Sequence, residues 1–151
     1  MYKILRFKNK IALVTGAETG IGKKIAQQLH KEGCTVIGTN FSKKKSINKA
    51  NLEYYKIDVT NELEWKRFKI YIEKKYKKID ILINSAGIRV SGTLVTTTSK
   101  LWNHVINTNT TSIFLSCKYT LSLLQKSNKS SIVNIASVTS LRGVKNMIAY
   151  A

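Results

Sequence analysis

From residue 11 onward, short apolar runs alternate with longer stretches in which apolar residues recur at helical spacing. Ile11-Ala12-Leu13-Val14 reads as a buried strand, and the glycine-rich stretch 15–22 turns the chain sharply. Ile21, Ile25, Ala26 and Leu29 then fall on one helix face. Lys31-Glu32-Gly33 closes this helix, and residues 34–39 form a second apolar strand. A third strand is predicted over 53–57. The helix after it, over 61–76, takes Thr60 or Asn61 as its cap and Glu62 and Glu64 in its first turn. Leu63, Phe68, Ile72 and Tyr76 lie near its buried face. A fourth strand over 79–83 leads through Asn84-Ser85-Ala86-Gly87, where Asn84 can bridge neighbouring strand ends by hydrogen bonds, into a Thr-rich loop over 88–98. A long helix follows over 99–125, with Ser99 as its cap and Leu101, Trp102, Val105, Ile106, Ile113, Phe114 and Leu121 as apolar positions, Trp102 being a core anchor. Within it, residues 107–112 are all Thr, Asn or Ser, whose side chains compete for backbone hydrogen bonds, so a locally distorted helix is predicted there. A fifth strand over 129–136 ends at Ser137. Residues 147–151 would then begin another helix.

Strands that alternate with helices pair in parallel through right-handed crossovers, which gives a three-layer α/β sheet with strand order 3-2-1-4-5. At 151 residues and 43% hydrophobic, the chain is sized for one domain over 1–151. The fifth strand would be an edge, and exposed edges invite self-association.

Charge changes this picture little. The 26 basic residues against 8 acidic give a formal +18, a balance that raises nucleic acid or an anionic membrane as partners. Only Arg6, Arg67, Arg89 and Arg142 are arginines, however, and the lysines are scattered instead of forming a block. Bidentate phosphate and guanine contacts favour arginine, so neither nucleic acid nor a membrane is expected as a partner. Cys34 and Cys117 lie far apart, and with His30 and His104 the only histidines, no metal-binding spacing exists. Two buried thiols are expected. No apolar stretch approaches the ~18 residues that span a bilayer, and a cytoplasmic protein is expected.

The chemistry concentrates at Thr15-Gly16-Ala17-Glu18-Thr19-Gly20-Ile21-Gly22, placed between a strand and a helix. Glycines there let the backbone approach a pyrophosphate, and the positive end of the helix attracts its charge. A plain tight turn is the alternative reading of the same residues. In dinucleotide folds an acid near the end of the second strand holds the adenosine ribose. Asn40 stands there, the next acid is Glu53, and Lys43-Lys44-Lys45 follow in a polar connection. Asn40 can hydrogen-bond a ribose. The lysines suit either a 2′-phosphate or a solvated loop.

Four segments together resemble the short-chain dehydrogenase/reductase family, particularly its 3-oxoacyl reductase and hydroxybutyrate or secondary-alcohol dehydrogenase branches. They are the three-residue gap between Gly16 and Gly20, the segment Asn84-Ser85-Ala86-Gly87, Asn109, and the interval from Ser137 to Tyr150. The resemblance implies a Rossmann fold whose later part lies past the fifth strand. It also implies an oxidoreductase that moves hydride between NAD or NADP and a ketone or secondary alcohol, and a homo-oligomer if full length. It assigns cofactor contacts to Gly16, Glu18, Thr19, Gly20, Ile21, Gly22, Asn40, Asp58, Val59, Asn84, Ala86 and Gly87. Asp58 also precedes the cap of the next helix. Catalytic roles fall on Tyr150 as acid/base, Ser137 as the holder of the substrate oxygen, and Asn109 as support for a water-linked proton path. Loop 88–98 would lie over the site and tune substrate choice. Glu18 stands where NADP-dependent members often carry a basic residue, while no acid marks the NAD ribose position, so the two nucleotides remain alternatives. The family's lysine one turn after Tyr150 would fall past Ala151. That leads to the expectation of an inactive 151-residue chain, and to the alternative of a truncated nucleotide-binding remnant.

Overall fold

A computed structural model describes residues 5–41 and 50–151. Lys43, Lys44 and Lys45 lie outside the described residues. Five strands, β1 (Ile11–Val14), β2 (Thr35–Asn40), β3 (Leu52–Lys56), β4 (Ile81–Asn84) and β5 (Ser131–Asn134), form one sheet in the order β3-β2-β1-β4-β5. Every neighbouring pair is parallel, as expected when each connection must cross back over the sheet. The helices are α1 (Gly20–Lys31), α2 (Glu62–Tyr76), α3 (Ser99–Ile106) and α4 (Ser112–Gln125).

The central strands read as continuous apolar runs because both faces are covered. Ala12, Val14 and Val36 pack with Ala26 and Leu29 of α1 on one side. On the other side Leu13, Ile37 and Leu82 pack with Trp65, Phe68 and Ile72 of α2 and with Leu115, Leu123 and Leu124 of α4. The edge strand β5 has no partner beyond β4 among the described residues, and all four of its residues are exposed.

The segment expected to be distorted is a π-helical turn, Asn107–Thr111, which joins α3 to α4. Thr108 Oγ1 donates to the His104 carbonyl at 2.8 Å and Ser112 Oγ to the Thr108 carbonyl at 2.6 Å. These are the side-chain bonds to backbone that disfavour regular winding.

Several expectations about individual side chains are corrected. Trp65, not Leu63, fills the buried stripe of α2, since Trp65, Phe68 and Ile72 repeat at three- and four-residue steps and leave Leu63 62% exposed. Trp102, Phe114 and Leu121 lie on the outer face of their helices and are exposed, so Trp102 is no core anchor. Ile21 is 60% exposed on the solvent side of the glycine turn. The cap of α3 is Thr98, whose extended backbone lets Oγ1 accept from Leu101 N, and Ser99 is already helical. Cys34 is buried, whereas Cys117 is only half-buried. Residues 147–151 close a single turn, with Tyr150 N and Ala151 N both donating to the Met147 carbonyl.

Candidate nucleotide and active site

The glycine turn is fixed from beneath by one hydroxyl. Thr15, buried at the end of β1, accepts hydrogen bonds through Oγ1 from Ser85 N at 3.0 Å and Ala86 N at 3.1 Å. Its own N–H donates to the Ile83 carbonyl, and Ala17 N donates to the Thr39 carbonyl. The turn is thereby tied to the ends of β2 and β4. Gly16 has φ +63°, and a Cβ there would lie 2.8 Å from Ala86 Cα. A Cβ on Gly22 would lie 2.5 Å from the Gly16 carbonyl oxygen. Gly20 differs: its φ is +54°, but the space where a Cβ would sit is open. Gly16 and Gly22 therefore serve close packing of backbone on backbone, Gly16 with a positive φ as well, and Gly20 serves conformation at an open surface.

At that surface α1 begins without a cap. Thr19 is extended and makes no side-chain hydrogen bond to the helix, and the first turn holds no acid. The first N–H groups of a helix lack intrahelical partners. In α1 they coincide with the positive end of the helix dipole. Over this point two clefts meet. One, of about 560 Å³, is lined by Gly20, Ile21, Gly22, Arg89, Asn109, Ser137 and Tyr150 among others. The second, of about 460 Å³, is lined by Glu18, Thr39, Asn40, Asp58, Val59 and His104 among others. Gly16, Thr19, Ala86, Gly87 and Ile88 line both. The result is a two-lobed groove whose waist is mostly backbone, at the C-terminal ends of parallel strands.

Every residue expected at the nucleotide or the reaction lines one lobe or both, except Asn84. Asn84 is buried inside the sheet edge: Oδ1 accepts from Ser116 Oγ at 2.6 Å, and Nδ2 donates to Asn134 Oδ1 at 2.8 Å. It ties β4 to β5 and α4 instead of reaching the groove. The inner lobe brings Asn109, Ser137 and Tyr150 together, although they come from three separate segments. Asn109 closes a two-way hydrogen bond with one residue, Oδ1 accepting from Ile88 N at 2.8 Å and Nδ2 donating to the Ile88 carbonyl at 2.9 Å. The π turn presents this amide, so the helix distortion and the start of loop 88–98 are coupled. Ser137 Oγ accepts from Thr139 N at 3.3 Å and from Thr139 Oγ1 at 2.8 Å, which leaves its own O–H free to donate elsewhere. In the outer lobe Asp58 Oδ1 accepts from Thr60 N and Thr60 Oγ1, so one carboxylate oxygen organises the turn before α2.

Thr15, Ser116, Asn134, Arg89 and His104 take part in the groove or its supports without a motif that marks them. A small hydroxyl residue between strand and glycines was the available signal for Thr15. The others are brought in by helix phase and strand pairing.

Fold and groove together define a Rossmann-type α/β protein with a two-lobed cleft at the C-terminal ends of its strands. The chain belongs to the short-chain dehydrogenase family, whose profile matches residues 10–151. It is similar to a 3beta-hydroxysteroid dehydrogenase of Mediterraneibacter gnavus, with 37% identity over 96% of this chain and 55% of the relative. It is also similar to the 3-oxoacyl-(acyl-carrier-protein) reductase of Buchnera aphidicola subsp. Baizongia pistaciae, with 38% identity over 89% of this chain and 57% of the relative. Among solved structures, ligand-free aldohexose dehydrogenase of Thermoplasma acidophilum superposes with a TM-score of 0.89 at 31% identity, covering 97% of this chain and 56% of that one. The chain thus spans a little over half the length of these relatives.

Proposed function

We propose that these residues form the cofactor-binding and proton-handling part of an NAD(P)-dependent oxidoreductase acting on a ketone or secondary alcohol. The observation that carries this reading is the two-lobed groove with the uncapped start of α1 at its waist. A dinucleotide has a nucleoside at each end and two phosphates between, and the waist offers those phosphates N–H donors and a positive dipole with no competing acid in the first turn. The residues fit the cofactor: Gly20 leaves its approach open, and Asn40, Asp58 and Val59 would line the adenosine end. Similarity to relatives named as dehydrogenases and reductases of hydroxysteroid, oxoacyl and sugar substrates supports the reaction class.

The bound nicotinamide would supply or accept the hydride. The protein's share is orientation and the proton. Ser137 would donate its free O–H to the substrate oxygen, and Tyr150, in the same lobe, would pass a proton to or from that oxygen. Asn109 would hold Ile88, and with it the rim of the lobe, in place. Titration with NADH and NADPH tests the binding step directly, and saturable binding of at least one is expected. In a preparation with turnover, Tyr150→Phe should lower it by about 10²–10⁴-fold with nucleotide affinity retained. Unchanged turnover would remove Tyr150 from the proton path.

A further inference from the structure

One residue that lines the outer lobe carries a buried hydroxyl with no partner. Thr39 is 1% exposed and lines this lobe, yet its Oγ1 has no hydrogen-bond partner among the described residues. Its backbone is held firmly, because the carbonyl accepts from Ala17 N at 3.0 Å and the residue pairs with Tyr55 of β3. A buried hydroxyl without a partner is destabilising, and valine would fill nearly the same volume without that cost. Ile57 and Val59, which line the same lobe, give the hydroxyl an apolar setting. The ordinary structural use of a strand threonine, a bond to a neighbouring backbone group, is therefore missing here. Its single χ1 has three staggered settings, so the hydroxyl can be re-aimed without moving the strand.

We propose that the Thr39 hydroxyl is a hydrogen-bonding contact for the adenosine moiety of the bound dinucleotide, satisfied only when the outer lobe is filled. The inference rests on the dinucleotide reading above and adds a residue to it. Adenosine presents ring nitrogens and ribose hydroxyls, and a threonine hydroxyl can donate to or accept from them. The inner lobe, where Ser137 and Tyr150 sit, is separate from Thr39, so the contact should be felt only by ligands that carry adenosine.

The test compares Thr39→Val and Thr39→Ser with the unchanged protein, using NADH, ADP-ribose and nicotinamide mononucleotide as probes and thermal unfolding without ligand. Thr39→Val should weaken NADH and ADP-ribose by about five- to tenfold, leave the mononucleotide unaffected, and raise Tm by about 2–5 °C as the orphan hydroxyl is removed. Thr39→Ser should keep the affinity. Opposite signs for stability and affinity are what a purely structural residue would not give. If Thr39→Val binds ADP-ribose as the unchanged protein does, the contact is absent while the dinucleotide reading stands. Equal weakening of ADP-ribose and mononucleotide would also overturn it, as a general distortion. Should the unchanged protein bind no NADH, NADPH or ADP-ribose, both readings fall. If Thr39→Val does not fold, Thr39→Ser against Thr39→Ala reads the same hydroxyl.

Discussion

The carboxylates at the N-terminal end of the sheet and the groups around the start of α1 at its C-terminal end differ in how they are satisfied. At the N-terminal end, Asp80 is buried and fully engaged: it accepts from Ile11 N, Lys10 Nζ, Lys78 Nζ and Ser127 Oγ. Glu32, at the close of α1, is clamped in the same manner by Arg6 and Gln28. At the C-terminal end α1 has no cap, Thr39 has no partner, and Gly20 faces open space. The contrast holds even between helix starts on that one end. Asn61 Oδ1 accepts from Leu63 N and Glu64 N, and Glu62 and Glu64 complement the dipole of α2, so α2 is satisfied internally where α1 is not. An unsatisfied group does not by itself mark a ligand site, since His30 Nδ1, a buried atom near the close of α1, also lacks a partner among the described residues; the start of α1 and Thr39 stand out because both line the groove.

The strongest way to break this contrast is Gly16→Val. The positive φ and the 2.8 Å approach to Ala86 Cα would push the turn off the end of β4, with an expected loss of about 3 kcal/mol or more of stability. Nucleotide binding should vanish, read by NADH fluorescence; NAD(H) and NADP(H) titrations matching those of the unchanged protein would remove the site from the turn. Next comes Asp80→Asn. Losing the charge behind four hydrogen bonds should cost about 3 kcal/mol in denaturant unfolding, with nucleotide affinity intact. An affinity loss on that variant would show that the two ends are not independent.

Acid titration sharpens the same point. Burial alone would raise the Asp80 carboxyl, but the bonds from Ser127, Ile11 N, Lys78 and Lys10 outweigh it and hold it at about 2, below its ordinary 3.8. Because the folded value is the lower one, the stabilisation is complete above about pH 4 and is lost as pH falls toward 2. It amounts to about 2 kcal/mol in all. Glu32, held at about 2 chiefly by its hydrogen bonds from Arg6 and Gln28, titrates in the same direction. In Asp80→Asn the slope of stability between pH 4 and 2 should flatten, and an unchanged slope would place the acid sensitivity elsewhere. The smallest effect is expected at the other capped group, where Asn61→Ala should cost about 1 kcal/mol by thermal unfolding and leave nucleotide titrations as they were.

The sheet order was legible because apolar runs such as 11–14 and 81–83, separated by helical spacing, leave few parallel arrangements. The groove was legible through its glycines. Side chains whose role depends on direction were not. Leu63 and Trp65 are two residues apart, so either phase satisfies an apolar count, and edge-on packing of Trp65 against Phe68 at 5.7 Å within the core decides for the larger ring. Asn84 is legible in one of its two readings: the bridge between strand ends is present, its amide bonding Asn134 across the β4–β5 pair and Ser116 of α4, while its side chain lies outside the groove. Thr39 carries no motif at all, and its missing partner is visible only once every neighbour is placed.

The π turn at Asn107–Thr111 also bears on how this chain can be compared and edited. Such a turn carries one residue more than regular winding needs, so it acts as a built-in frame shift between α3 and α4. Residue spacings counted across it in steps of three and four fall out of phase by one. Deleting Thr108 would restore regular winding and turn Asn109, which follows it, out of its present phase relative to α3.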